Sequence, residues 1–412
     1  MGTARPTPAT TRSTRKRTQP RARQPEQYAR RRGGTSNRPR NGSDHVVPPW
    51  SARVPALART RSRRHAGCHD RGMIERELTA PVDLCDARGR LNPAAVGWSR
   101  QPLHRANLAR AWGRKKRWDY WCVTAPDLYA AITYADIDYL GTATVWVCRP
   151  STGRATTVDR IVPGARGFAL PDRPGTGRMT ADVGGLRVEI EELADRTRLR
   201  AACAQTPDGP LEIDVEVARP AGHESVNVVI PWSARRFQYT SKQNTRPATG
   251  VVRRGADRWE LGSDGLPAFG TLDLGRGVWK YRNRWNWAAA SGVAVDGRTV
   301  GLQFGGRWTA GTGYTENGLC VDGRLTKIGE ELEWSYDWDH PMRPWRVRDR
   351  AGRVDVVLTP DHDRYARTGA GLIAMEVHQC FGRWSGTIVD EGGARLELRE
   401  VIGFAEEARN RW

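Results

Sequence analysis

Trp279-Lys280-Tyr281-Arg282-Asn283-Arg284-Trp285-Asn286-Trp287 is the densest part of a stretch running from Asp273 to Trp308, and its reading decides the fold. The stretch holds four of the chain's 17 tryptophans. From Trp285 onwards the residues are aromatic, small or β-branched. Asp296-Gly297 supplies a tight turn and Thr299-Val300-Gly301-Leu302-Gln303-Phe304 returns, which is the pattern of a β-hairpin. An earlier stretch, Trp112-Gly113-Arg114-Lys115-Lys116-Arg117-Trp118, shares the pattern W-x-x-[KR]-x-R-W and is likewise followed by an apolar run, a turn at Ala125-Pro126-Asp127 and a second apolar run. The second tryptophans lie 285 − 118 = 167 residues apart, close to half of the chain beyond its N-terminal tail. The spacing predicts two similar halves.

Charge is divided unevenly along the 412 residues. Residues 1–72 carry 18 Lys+Arg against 3 Asp+Glu, so +15; the remainder carries 66 − 18 = 48 against 46 − 3 = 43, so +5. The net charge of +20 therefore describes a basic tail, and the globular part gives no ground for a nucleic-acid partner. The tail is Arg, Pro, Thr, Ser and Gly with few aliphatic side chains, too little to offset the entropy of ordering, and is predicted to be disordered or a mis-assigned start before Met73. Seven cysteines without a C-x-x-C or paired spacing argue against zinc ribbons and a disulfide framework and for a reducing compartment. No apolar run is long enough to span a bilayer and no secretory leader is evident, so a cytoplasmic location is expected.

From Met73 the chain reads as β. Val82–Pro93 looks irregular, and Leu103–Leu108 reads as a short helix or loop. Strand-like runs then follow at short intervals from Trp118–Thr124 to Arg395–Val401, with hairpin signals at Asp296-Gly297, Asp322-Gly323 and Glu391-Gly392-Gly393. Towards the C-terminus only Ala405–Trp412 could be helical to the end. Ser241–Gly250 (SKQNTRPATG) is polar and turn-rich and is expected to connect an N-terminal half, 73–240, to a C-terminal half, 251–412. Many short strands joined by hairpins predict an all-β protein of two antiparallel barrel or sandwich halves.

At this point LNPAAVGWSRQPLH (91–104), WGRKKRWDYWCVT (112–124), GHESVNVVIPWSARRFQYTSKQNTRPATG (222–250), GRGVWKYRNRWNWAAASG (275–292) and EVHQCFGRWSG (376–386) carry a resemblance. The chain from residue 75 onwards resembles the domain-of-unknown-function 2804 family. More loosely it is similar to tandem lipocalin-like proteins, such as carotenoid hydratases of the hydroxyneurosporene synthase type and tocopherol cyclase. The resemblance implies two lipocalin-like halves; it transfers no active-site residue.

Four places carry candidate chemistry. On a strand, Trp285 and Trp287 share one face, with Arg282, Arg284 and Asn286 on the other. Trp279, Trp118 and Gln303 of the returning strand complete an expected aromatic lining that could stack on a polyene or a developing carbocation, whereas the bland reading makes the indoles core. In Leu372–His378 the alternation places Glu376 and His378 on one face as an acid/base pair, although any half-exposed strand looks the same. Glu316, in the glycine-rich segment 311–318, lacks the ending of a nucleotide loop but would act as an acid if burial raised its pKa. Lys242 and Asn244 lie between the expected halves, where ligands often bind. The five histidines of the globular part (104, 223, 340, 362 and 378) are scattered and give no metal constellation, and neither a metal nor a cofactor is expected.

These observations predict a binder of an apolar or amphipathic small molecule in an aromatic-lined β cavity, with redox-free hydratase, cyclase or isomerase chemistry if it is an enzyme. The alternative is a glycan-binding β-protein that presents an exposed row of tryptophans.

Overall fold

A computed structural model describes residues 75–262 and 265–412; the tail expected over 1–72 lies outside them. Among the described residues the helical pieces are two 3-10 turns, Pro93–Ala95 and Pro150–Thr152, and no helix is long and apolar enough to cross a membrane. Nearly everything else that is regular is strand.

The strands form two large antiparallel sheets. The first contains β1 (Lys115–Ala125), β2 (Leu128–Asp136), β3 (Leu140–Arg149), β4 (Arg154–Pro163), β5 (Arg178–Val183), β6 (Leu186–Glu192), β7 (Arg196–Cys203), β8 (Leu211–Ala218), β9 (Val226–Ser233), β10 (Arg236–Arg254), β11 (Asp257–Leu261) and β12 (Phe269–Val278). Its main path runs β4-β3-β2-β1-β12-β10-β8-β7-β6-β5, with β9 and β11 branching from β10. The second contains β13 (Arg282–Val293), β14 (Thr299–Gly306), β15 (Asn317–Val321), β16 (Arg324–Ile328), β17 (Glu333–Ser335), β18 (Trp345–Arg348), β19 (Val354–Ala370), β20 (Ile373–Val389) and β21 (Arg395–Arg411), in the order β16-β15-β14-β13-β21-β20-β19-β18-β17. In each, the first long strand pairs with both its successor and the last strand, so the sheet curls back on itself. The free edges are then consecutive strands, β4 and β5 or β16 and β17. Both sheets are barrel-like.

Trp118 is the fourth residue of β1 and Trp285 the fourth of β13. The repeated motif therefore opens the same topological strand in each sheet. The Asp322-Gly323 turn between β15 and β16 has φ of +48° and +79°, the left-handed pair that a two-residue hairpin requires.

Two expectations are corrected. Ser241–Gly250 is no connection: it lies within β10, a 19-residue strand, and the chain passes between the sheets at Trp279–Tyr281. Ser241, Lys242, Asn244, Thr245 and Arg246, which suggest a solvated loop, are instead buried and partnered, and Thr245, at φ +54°, sits at the irregularity where β10 shifts register. Ala405–Trp412 belongs to β21 up to Arg411 rather than to a helix, because two neighbouring strands supply its hydrogen bonds. Within Leu103–Leu108, His104–Arg105 pairs in parallel with Val82–Asp83.

Burial along the strands separates two roles. In β5 exposed and buried residues alternate, as expected when one face meets solvent. In β1, β2 and β12 nearly every residue is buried, so both faces are covered. Their inner faces join a mainly aliphatic core that fills the first barrel, and Ala288, Leu302, Val356 and Leu398 belong to the core of the second. Their outer faces meet at a seam. Tyr120, Tyr129 and Trp146 pack there against Trp287, Phe381 and Phe404. Trp285 and Trp287 share a face with Ala289, whereas Ala288 and Ala290 point into the second barrel. The indoles expected to line a barrel cavity are therefore on the barrel's outside, packed in the seam. Burying one such side chain stabilises the fold by about 2–3 kcal/mol.

Candidate functional site

The seam contains polar residues that sequence periodicity places on outer faces. Gln238, Thr240 and Lys242 alternate with Phe237 and Tyr239, which point into the first core; Asp273 lies between Leu272 and Leu274 in the same way. Glu406 faces outward between the inward Ala405 and the inward Glu407.

These side chains form a buried cluster around one ammonium. Lys242 Nζ lies 2.9 Å from Asp273 Oδ1 and 3.2 Å from Glu316 Oε2, and 4.3 Å from the centre of the Trp287 ring. Indole N–H groups donate to all three carboxyls: Trp118 to Asp273 (3.2 Å), Trp308 to Glu316 (2.8 Å) and Trp285 to Glu406 (2.7 Å). Gln379 donates to the other Glu406 oxygen at 2.9 Å and accepts from the Tyr120 hydroxyl at 3.2 Å. Trp287 donates to Gln303, and Trp279 to Gln238, at 3.0 and 2.7 Å. Gly305 leaves the space that Glu316 fills: a Cβ there would sit 2.1 Å from Glu316 Oε1.

Electrostatics follow from this geometry. Glu316 is 1% exposed, Lys242 6% and Glu406 7%. Burial pushes the Glu316 carboxyl up to about 7, with Asp273 adding to the rise and Lys242 opposing it. Burial likewise raises Glu406 to about 7, against the hydrogen bond from Trp285 and the charge of Lys242. For Lys242 burial works towards a lower pKa, but Asp273 and Glu316 outweigh it and the net direction is upward. Three buried carboxyls share the Lys242 ammonium, with the Arg364 guanidinium acting on Glu406 as well, so the arrangement favours retention of protons by Glu316 and Glu406 near neutral pH. Trp279 stacks on Trp308 at 5.7 Å and meets Trp118 and Trp285 edge-on or tilted, so indole faces surround these acids.

Of the residues singled out by sequence, Trp118, Trp279, Trp285, Trp287, Gln303, Lys242 and Glu316 come together here. Asn244 lies nearby as a strut, donating to the Leu302 carbonyl at 3.0 Å. Arg282 and Arg284 face the inside of the second barrel, away from the indoles, and Arg284 pairs with Glu407. Glu376 and His378 also stand on that inner face, but not as a pair. His378 Nδ1 lies 2.7 Å from Asp363 Oδ2, and Glu376 accepts the Tyr365 hydroxyl at 2.9 Å. Cross-strand register decides this: Tyr365 lies opposite His378 and Asp363 opposite Cys380, which brings Asp363 into diagonal reach. Asp273, Glu406, Gln379 and Trp308 were missed. A charged residue inside the apolar run Phe269–Leu274 was the available signal for Asp273; Glu406 was hidden by the helical reading of its segment.

The family model described as "Domain of unknown function (DUF2804)" matches residues 75–412. No curated protein matches the chain. Among solved structures, an AttH protein of Nitrosomonas europaea is similar at 13% identity, covering 72% of this chain and 92% of its own, with a TM-score of 0.43. Kievitone hydratase from Nectria haematococca is similar at 8% identity, over 72% of this chain and 88% of its own, with a TM-score of 0.39. CghA is similar at 11% identity, over 74% and 90%, with a TM-score of 0.37.

Proposed function

The chain belongs to the DUF2804 family, and we propose that its seam binds an apolar or amphipathic unsaturated small molecule and protonates it. The observation that carries this reading is the pair Glu316 and Glu406: two buried carboxyls, each under an indole N–H, both raised to about 7. An acid of that strength is about half protonated at neutral pH, and so able both to hold a proton and to give it up. Protonation moves the carboxyl proton to one alkene carbon, breaks the π bond and leaves a cation on the other carbon. The faces of Trp279, Trp285 and Trp287 stabilise that charge. Water or a second double bond then supplies the electron pair, and the carboxylate recovers a proton, so the sequence is redox-neutral. Lys242 stabilises the carboxylate formed in the first step.

The seam is closed in this structure, so entry requires its rim to part. Trp118, Trp285 and Trp412, half-buried against the fully covered Trp279, are the rim residues best placed to do so. A sugar platform has less support: among the described residues Trp112, at 75% exposure, is the one exposed tryptophan, and the others are buried or half-buried.

The test uses the full chain titrated with farnesol and with retinol while tryptophan emission is followed. Saturable quenching is expected, with Trp287→Ala weakening it by about 1–3 kcal/mol through lost apolar contact. Glu316→Gln should leave binding near wild type and abolish any turnover, because its proton acts in the transition state. If neither probe quenches, and solvent extraction of the purified protein yields no apolar compound, the seam is only a polar core.

A further inference from the structure

A second place on the molecule carries unbalanced charge. On the inner face of the second barrel, towards its open end, cross-strand register sets arginine against arginine. Arg282 lies opposite Arg411, and Arg284 opposite Arg409. The second row continues through Glu376 to Arg367, and the first through Ala374 to Gly369. Like charges directly opposite one another destabilise a sheet. Glu407 relieves the inner pair, bonding both Arg284 and Arg409, the latter at 2.7 Å. Nothing relieves the outer pair: among the described residues Arg282, Arg411 and Arg367 have no carboxylate within ion-pair distance.

These side chains line a groove of about 880 Å³, in which five arginines face one acid, Glu376.

We propose that the mouth of the second barrel binds the diphosphate group of a small molecule, held by Arg282, Arg411 and Arg367. Guanidinium forks match phosphoryl oxygens in bidentate geometry, and three arginines without a carboxylate balance the roughly three negative charges of a diphosphate at neutral pH. A monophosphate leaves one of them unmatched. The globular part is near balance, with 48 basic against 43 acidic residues, which disfavours a polynucleotide, because that needs an extended basic track. The site is independent of the acids in the seam.

Calorimetry on the full chain at low salt tests this with inorganic pyrophosphate, farnesyl diphosphate and a short oligonucleotide. The variants are Arg282→Gln/Arg411→Gln and Ala374→Glu, which places a carboxylate opposite Arg411. The basic tail is the same in every protein, so only the difference between variant and wild type reports on the groove. Pyrophosphate affinity is expected to fall about tenfold or more in both variants. Their melting temperatures should be unchanged or higher, because both relieve like-charge repulsion. Farnesyl diphosphate binding more tightly than pyrophosphate would identify the source as an amphipathic diphosphate; equal affinity would identify free diphosphate. Pyrophosphate binding that both variants retain overturns the proposal. So does a loss confined to the oligonucleotide, which would make the groove a nucleic-acid contact.

Discussion

Replacing Glu316 by Gln should change stability in a way that depends on pH, and the sign follows from its burial. In the unfolded chain the carboxyl loses its proton near its ordinary value of 4.5, whereas in the folded protein it holds the proton to about 7. Between those values the folded state binds more protons than the unfolded state, so wild-type stability falls as pH rises through this window and then levels off. At about 1.4 kcal/mol per pH unit, the whole window is worth about 3 kcal/mol. Between pH 5 and pH 8 about 2.5 kcal/mol of it is expressed, because at pH 5 the unfolded carboxyl is already largely ionised. The amide of the variant has no proton to lose. Urea unfolding of both proteins at pH 5, 6, 7 and 8 should therefore show the variant gaining about 2–3 kcal/mol on the wild type across the series, whatever the offset at pH 5. Other titrating groups are common to both proteins and cancel in the difference. A difference that stays flat with pH would refute the reasoning. So would a variant that loses ground as pH rises, because Glu316 would then be a simple ion-pair partner of Lys242 with no proton to donate at neutrality.

Lys242→Met should be most harmful at high pH: once Glu316 and Glu406 ionise, the seam holds buried carboxylates without their ammonium, at a cost of about 3–5 kcal/mol. Unfolding at pH 8 and pH 5 should show the larger loss at pH 8, and equal losses would mean the lysine acts through packing alone. Gly305→Ala should lower stability by about 1–3 kcal/mol, since its Cβ would overlap the Glu316 carboxyl. A wild-type melting temperature for that variant would show that Glu316 has room to move.

The class of fold and much of the local structure were legible from the residues in order. Period-two alternation, the Asp-Gly turns and the W-x-x-[KR]-x-R-W repeat are local signals, and local hydrogen bonding and pleat geometry honour them: Trp118 and Trp285 each open the first long strand of a barrel-like sheet. Part of the seam was legible too: its tryptophans by their density, Lys242 by its place in a polar run and Glu316 by its glycine-rich surroundings. Which face of a strand meets which neighbour was not legible. A strand buried on both sides reads the same whether its indoles point into a barrel or out against another one, so only the docking of the two outer faces put Trp285 and Trp287 in the seam. The same long-range packing turned the polar run Ser241–Gly250 into strand, gave His378 the carboxylate of Asp363 in place of Glu376, and brought Glu406 within 2.7 Å of Trp285 across 121 residues of chain. Register between strands distant in sequence decides such pairings, and register is set by the whole hydrogen-bonded ladder rather than by any one stretch.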